Sequence, residues 1–346
     1  MNLPEEKTDL KDLGPRELEG VIASFGKERY RTPQILRWLY QKGVDSFDEM
    51  TNLSKTFRHD LGEVSALSTL RPLRIEEARD GTRKFLFQLC DGNRVESVLI
   101  PEKARLTLCL STQVGCALGC QFCLTGKKGW KRDLRLSEIL NQILAVRKLL
   151  PPKRAITNIV LMGMGEPLLN YDNTMKAIEL MTHPDAFKFS SRRVTLSTAG
   201  LLPELEALSK QKISFRLAIS LNASDEETRS RLMPINRRYP MARVLEFCRR
   251  LLLPPRTRVT FEYVLLEGIN DSPLDAKRLL RNLRGIPSKV NLIPLNEAPG
   301  IPFKRPSEEK IERFQEILME GGLTVIVRAS KGSEIRAACG QLQGEG

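Results

Sequence analysis

Three of the seven cysteines crowd into eight residues, in the segment Gly115-Cys-Ala-Leu-Gly-Cys-Gln-Phe-Cys-Leu-Thr-Gly126. Three thiolates on one short loop can hold three irons of a cubane cluster and leave the fourth iron without a protein thiolate. An open iron coordinates a further ligand, as reductive chemistry on a bound cofactor requires. Zinc is the competing occupant, but structural zinc wants four ligands, usually as two separated pairs. No fourth Cys or His lies close by in sequence. Cys116, Cys120 and Cys123 are therefore the expected metal ligands, on a loop that Gly115 and Gly119 free to wrap a bulky cluster. A second loop, Met162-Gly-Met-Gly-Glu-Pro167, follows the strand candidate Ile156–Met162. Exposed backbone and one carboxylate suit an amino-acid moiety, whose ammonium needs acceptors. Taken alone it is an ordinary Gly-rich turn.

Strands and helices must place these loops together. From about residue 105, strand candidates (106–111, 156–162, 194–197, 214–221, 259–266, 289–295, 323–327) alternate with helix candidates (137–150, 172–182, 203–210, 241–253, 273–283, 307–320). That alternation predicts a parallel α/β sheet or barrel, whose ligands sit at the C-terminal strand ends. The rule gathers Cys116–Cys123, Gly163–Pro167, Ser197–Gly200, Leu221–Asn222 and Asn296 on one rim. Upstream, Asp80-Gly81 and Asp91-Gly92 are hairpin signals inside a β-meander. Residues 1–62 read as helical: one helix opens at Pro15 and ends at Gly26, and the next has Thr32 as its N-cap and Pro33 at its first position. Four regions result: a helical module (1–62), a meander linker (63–101), the α/β core (102–333) and a C-terminal loop (334–346).

Composition limits the function classes. Lys and Arg total 55 against 42 Asp and Glu, a net charge of +13, which favours a polyanionic partner or, more blandly, a basic surface. No apolar run approaches the roughly 20 residues that span a bilayer. The N-terminus lacks a secretory signal's pattern, so the cytoplasm is the expected location. Only two histidines, His59 and His183, are available. Basic residues beside an aromatic occur at Lys127, Lys128, Trp130, Lys131 and Arg132, and again at Arg237-Arg238-Tyr239; they suit phosphate contact with a stacking face, or a solvated turn with Trp130 in the core. The helical module, with Arg29, Arg31, Arg37, Lys42, Lys55 and Arg58, is either an RNA-docking domain or a solvated cap.

The three-then-two cysteine spacing, with Phe122 before the last Cys, resembles the radical S-adenosylmethionine (SAM) superfamily. More narrowly, Gln113-Val-Gly-Cys-Ala-Leu-Gly-Cys-Gln-Phe-Cys, Gly163-Met-Gly-Glu-Pro167, Val194-Thr-Leu-Ser-Thr-Ala-Gly200, Leu232-Met-Pro-Ile-Asn236 and Ala337-Ala-Cys-Gly-Gln-Leu342 resemble the bacterial dual-specificity RNA adenine carbon-2 methyltransferases. The likeness runs over nearly the whole chain. It implies a partial (βα)6 radical SAM barrel, a [4Fe-4S] cluster and two SAM per turnover. It further implies 23S ribosomal RNA and tRNA as substrates, an electron donor such as flavodoxin, and a monomer.

Residue roles carry over by match. Cys339 is the methyl carrier: methylated by one SAM, then stripped of hydrogen by a 5′-deoxyadenosyl radical, it adds to the electron-poor adenine carbon 2. Cys109 would resolve the resulting adduct as a disulfide, and Glu96 would accept the proton. The residues themselves leave other readings open: Cys109 as a buried hydrophobe, Glu96 as an exposed strand residue, Cys339 as a stray thiol in a tail. Gly165 and Glu166 would face the methionyl amine. Ser197, Ser220, Leu221 and Asn222 would contact SAM, and Asn296 would reach its adenine end, although Leu295 and Glu297 depart from the family pattern of Phe and Pro. Cys90 and Cys248 read as core residues. Three rivals remain: the related carbon-8 methyltransferase of antibiotic resistance, a radical SAM enzyme that activates a glycyl-radical protein, and a basic RNA-binding protein with a structural metal.

Overall fold

The computed structural model describes residues 7–211 and 213–344. In the N-terminal module, β1 (Thr8–Asp9) pairs in parallel with β2 (Ser65–Ala66) and closes the module's two ends on each other. Between them lie α1 (Pro15–Ser24), α2 (Arg31–Leu36), which continues as a π-helical stretch over Arg37–Lys42, and α3 (Lys55–Val64). Pro15 begins α1, as its fixed φ favours. Thr32 does not cap α2: Tyr30 already has helical backbone, so the helix starts at Arg31 and buries Thr32.

One ten-stranded sheet holds the rest. β3 (Pro72–Glu77), β4 (Arg83–Gln88) and β5 (Arg94–Glu102) form the antiparallel meander, turned at Asp80-Gly81 and Asp91-Gly92. β5 pairs antiparallel with β6 (Arg105–Cys109), with Val98 opposite Cys109. The stretch expected as a linker is thus hydrogen-bonded into the sheet. After β6 a small hairpin, β7 (Gln113–Gly115) with β8 (Trp130–Asp133), brackets the cysteine loop and α4 (Leu124–Lys128).

The sheet then proceeds in parallel through β9 (Asn158–Leu161), β10 (Val194–Thr198), β11 (Arg216–Ser220), β12 (Val259–Leu265), β13 (Ser288–Pro294) and β14 (Thr324–Val327). The crossovers are α5 (Leu136–Lys148), α6 (Tyr171–Thr182), α7 (Leu202–Ser209), α8 (Glu226–Leu232) with α9 (Met241–Arg250), α10 (Pro273–Asn282) and α11 (Glu308–Glu320). Six βα units close on β14, and the edges at β14 and β3 stay apart in the strand order. This is the expected partial (βα)6 barrel; α8 is the one crossover helix absent from the sequence reading.

The central strands are largely buried on both faces, but only one face is apolar: on β12, Val259, Phe261, Tyr263 and Leu265 alternate with the buried Thr260 and Glu262. α5 is buried on every side from Leu136 to Val146, which a crossover helix achieves only when something covers its outer face. The helical module supplies that cover. Asp12 Oδ1 accepts from Ser137 N at 2.8 Å, and the buried Lys11 Nζ donates to Asn141 Oδ1 (3.2 Å) and Ser68 O (2.7 Å). Among the described residues no helix is long and apolar enough to cross a membrane.

Candidate active site

The cysteine loop is held at three points. Cys116 N donates to Gly129 O (2.9 Å) across its own hairpin, Gln121 N to Leu232 O (2.9 Å) at the end of α8, and Leu124 N to Gly340 O (2.8 Å) in the C-terminal loop. Gly115 must be glycine here: its φ is +77°, and a Cβ would lie 1.8 Å from Gly129 O. Burial pushes the Cys116 thiol up to about 12 and holds Cys120 well above its ordinary value, and the charge of Cys123 raises both. Such crowded, desolvated sulfurs ionise only when a cation takes the proton's place, which iron does. Among the described residues, no three or more His, Cys, Asp and Glu side chains are grouped to hold a single metal ion. Three thiols with no fourth Cys or His close by in sequence suit a cluster with one iron per thiol better than a four-ligand zinc site.

The Gly163–Pro167 loop is laced to the chain just before the cysteines. Thr112 N and Gln113 N donate to Met164 O (2.9 and 3.2 Å), and Glu166 N donates to Gln113 Oε1 (2.8 Å). Gly165 has φ +104°, and a Cβ there would meet Gln113 Cβ at 2.6 Å. The buried Glu166 carboxylate, pushed up to about 7 by its burial, accepts from Leu168 N (3.1 Å) and Ala199 N (2.8 Å). It ties the end of β9 to that of β10, with lone pairs to spare for a ligand.

The other rim residues divide. Ser197 is buried on β10, and Ser220 ends β11 half-buried. Leu221 N donates to Glu262 O (3.0 Å). Asn222 adopts the left-handed conformation (φ 58°), and its Oδ1 accepts from Val264 N (2.9 Å), so its amide oxygen locks the turn. Asn296 reaches the C-terminal loop: its Nδ2 donates to Cys339 O (3.2 Å), while its Oδ1 accepts from Ser330 Oγ (2.5 Å).

Cys339 is no frayed tail residue. Gly340 and Leu342 accept from Leu124 N and Thr125 Oγ1 at the start of α4, and Gln341 Nε2 donates to Glu297 O (2.9 Å). The Cys339 thiol keeps an exposed face, yet dense surroundings push it up to about 11; the Glu262 carboxylate and the Cys123 sulfur add to the rise and Arg328 opposes it. Cys109 is buried at the end of β6, and its thiol is raised by burial and then by Cys339. The Cys339 loop packs beside Cys123: a Cβ on Gly340 would lie 3.1 Å from Phe122 O and 3.9 Å from Cys123 Cα.

Glu96 is 2% exposed, which removes the solvent-strand reading. Its Oε1 lies 3.3 Å from Lys84 Nζ, and its Oε2 accepts from Gln343 N (2.7 Å) and Gly344 N (2.9 Å). The C-terminal chain covers β5 at this point, so strand alternation does not govern exposure there. Cys248 is buried as expected; Cys90 is exposed, because it stands at the entry of the Asp91-Gly92 turn.

The basic stretch after the cysteine loop is mixed. Trp130 is 51% exposed, not a core residue. Lys131 Nζ makes one 3.2 Å bond to Asn93 Oδ1. Arg132 is committed internally, to Asp91 (2.6 Å) and Glu138 (2.7 Å), so it is unavailable to phosphate. In the second patch, Arg238 stacks over Tyr239 at 5.4 Å.

Two buried charges at this rim went unread in the sequence. Glu262 is buried on β12 and accepts from Asn291 Nδ2 (2.8 Å); a lone carboxylate inside Val-Thr-Phe-Glu-Tyr-Val-Leu was its signal. Arg229 on α8 is fully buried, with no signal to separate it from its charged neighbours.

An open parallel sheet with a three-cysteine loop at its C-terminal rim defines a radical SAM enzyme, and the radical SAM superfamily profile matches residues 110–280. A [4Fe-4S] cluster and SAM are its cofactors. The ribosomal RNA large subunit methyltransferase N-terminal domain profile matches residues 8–67, over the helical module. The chain is 54% identical to the dual-specificity RNA methyltransferase RlmN of Geobacter sulfurreducens, over 97% of this chain and 92% of that one. It is 51% identical to the RlmN of Geotalea uraniireducens, over 98% and 97%. The crystal structure of a radical SAM methyltransferase from Sphaerobacter thermophilus superposes with a TM-score of 0.91 at 45% identity, covering 98% of this chain and all of that one. The chain belongs to the RlmN family of radical SAM RNA methyltransferases.

Proposed function

We propose that the chain methylates carbon 2 of adenosine at the peptidyl-transferase centre of 23S ribosomal RNA and at the adenosine 3′ of the tRNA anticodon. Two SAM are consumed per turnover. With the cluster bound, SAM supplies a one-electron route to an otherwise inert methyl group.

The chain's own residues do the rest. Cys339 accepts the first methyl: a sulfur–carbon bond forms, the thiol proton leaves and S-adenosylhomocysteine departs. After a hydrogen atom is lost to the 5′-deoxyadenosyl group that the second SAM would supply, the methylene radical joins the Cys339 sulfur to adenine carbon 2. Glu96 takes the proton from carbon 2, and the one unpaired electron would return to the bound cluster, so that a closed-shell thioether remains. The Cys109 thiolate then attacks the Cys339 sulfur; the disulfide forms, the sulfur–carbon bond breaks, and its electron pair goes to the carbon that becomes the product methyl. Both sulfurs are oxidised, and the carbon is reduced and takes up one proton to become methyl, so electrons and protons balance in this step.

The observation that carries this reading is the seat of the Cys339 loop on the cysteine loop, where Leu124 N donates to Gly340 O (2.8 Å) and Thr125 Oγ1 to Leu342 O (2.6 Å). The target base leaves its stack to reach them, and the helical module with Trp130 and Lys131 forms the RNA-facing surface. The enzyme works as a cytoplasmic monomer with an electron donor such as flavodoxin. Cys109→Ala tests the resolution step. With a reduced cluster, SAM and RNA, this variant is expected to accumulate a covalent RNA adduct through Cys339, seen as a shifted band that nuclease treatment collapses. If no adduct forms under conditions where the parent enzyme turns over, Cys109 is not the resolving thiol.

A further inference from the structure

We propose that Arg229 supplies a fixed positive charge behind Cys120 that holds up the reduction potential of the cluster, while its hydrogen bonds clamp the C-terminal ends of β10 and β11. This rests on the cluster being bound by Cys116, Cys120 and Cys123.

Arg229 is 0% exposed and heads the largest fully buried side chains. All five of its N–H groups are used, and every acceptor is neutral. Nε donates to Leu221 O (3.1 Å), Nη1 to Asn236 Oδ1 (2.6 Å) and Tyr239 O (3.4 Å), and Nη2 to Ala199 O (2.7 Å) and Ser220 O (3.2 Å). A guanidinium in the interior without a paired carboxylate costs several kcal/mol in desolvation. Hydrogen bonds to carbonyls offset part of that cost but bring no counter-charge. Burial lowers its pKa to about 10, so it is still a cation at neutral pH.

The counter-charge lies at the cysteine loop. Arg229 is one turn from the end of α8, where Leu232 O accepts from Gln121 N at 2.9 Å. A Cβ on Gly119 would sit 4.0 Å from Pro234 Cγ, so residues 119–121 pack directly on the end of this helix. Once it holds iron, Cys120 brings a thiolate to this packed stretch; the Glu226 carboxylate is bonded to Arg229 only through Asn236, whose Nδ2 donates to Glu226 Oε2 (2.8 Å) and whose Oδ1 accepts from Arg229 Nη1 (2.6 Å). Three thiolates leave a [4Fe-4S] cluster with excess negative charge, and reduction adds one more. A nearby fixed cation stabilises the reduced form, since net charge and local bonding set these potentials.

The same side chain holds Ala199 on the rim together with Ser220 and Leu221, themselves expected SAM contacts, so charge and clamp must be separated by experiment. Arg229→Lys keeps the charge but not the five-bond geometry; Arg229→Gln loses the charge. Iron, sulfide and an anaerobic redox titration followed by electron paramagnetic resonance are measured on both variants and on the parent. The parent's iron and sulfide content tests the cluster assignment by itself: a parent without a cluster sinks that reading before the variants are compared. Given a parent cluster, Arg229→Lys is expected to hold the parent potential. Arg229→Gln is expected to lower the reduction equilibrium constant at least tenfold, 59 mV for one electron, or to lose the cluster while Arg229→Lys retains it. A normal potential in a cluster-loaded Arg229→Gln overturns the inference. So does equal loss of cluster in both variants, which leaves Arg229 only a clamp.

Discussion

The carboxylate of Glu96 holds the chain that follows Cys339, so the proposed proton acceptor and the tail anchor are one group. Replacing it by Gln tests that coupling. Oε2 takes two backbone N–H groups, from Gln343 and Gly344. Bonds to a charged acceptor contribute about 1.5–3 kcal/mol each, against about 0.5–1.5 for neutral ones. Losing the charge on two bonds therefore weakens the tail by about 2 kcal/mol. Lys84 retains Glu76 at 3.1 Å, so the substitution does not strand a buried ammonium. By hydrogen exchange with mass detection, a peptide ending at Gly344 should exchange roughly 30-fold faster in Glu96→Gln, the ratio for about 2 kcal/mol of local opening. Peptides from β12 and β13 should be unchanged. Protection of the tail within threefold of the parent would refute the anchoring argument. In the proposed reaction the tail must release Glu96 before it can accept a proton, so RNA binding should raise the same exchange rate in the parent enzyme.

Other outcomes follow from the same geometry. Lys11 is buried between module and core, and burial lowers its pKa from 10.5 to about 8. The unfolded chain therefore binds the extra proton between pH 8 and 10.5, and stability from this group rises across that window. At 1.36 kcal/mol per pH unit the rise is about 3 kcal/mol. Denaturant titrations of parent and Lys11→Met should therefore converge or cross as pH rises from 8 to 10.5; parallel curves would show that Lys11 is not desolvated. Trp130→Ala should weaken RNA binding about tenfold if the exposed indole stacks on a base, at about 1–3 kcal/mol per stack; unchanged affinity in filter binding would leave Trp130 a hairpin residue only. Lys131→Ala should lower the slope of log affinity against log salt by about 0.9, the loss of one phosphate contact, whereas Arg132→Ala, already paired to Asp91 and Glu138, should leave the slope unchanged and cost stability.

The chemistry was most legible where it is local in sequence. Cys116, Cys120 and Cys123 share one loop, so their spacing points to a common role. The parallel strands were legible because apolar residues recur at alternate positions, as Val259, Phe261, Tyr263 and Leu265 do on β12. What escaped depends on distant partners. Glu96 alternates like a surface residue, and only the C-terminal chain, some 250 residues on, buries it. Arg229 sits in Glu-Glu-Thr-Arg-Ser-Arg-Leu, which reads as a solvated helical face until Ala199, Ser220 and Leu221 close over it. Trp130 was ambiguous because its exposure is decided by the β7–β8 pairing, not by its neighbours. Asn222 and Glu166 stand where the rim rule puts them, yet both spend side-chain oxygens on backbone N–H groups.

The central claim is that this chain places a methyl group on adenine carbon 2 by way of Cys339. Its most direct measurement is an anaerobic reaction of the cluster-loaded enzyme with SAM and a reductant, on 23S ribosomal RNA and tRNA separately, followed by nucleoside digestion and mass spectrometry. The expected result is 2-methyladenosine in both RNAs with the parent enzyme and none with Cys339→Ala. The appearance of 8-methyladenosine without 2-methyladenosine, or full activity in Cys339→Ala, would contradict it.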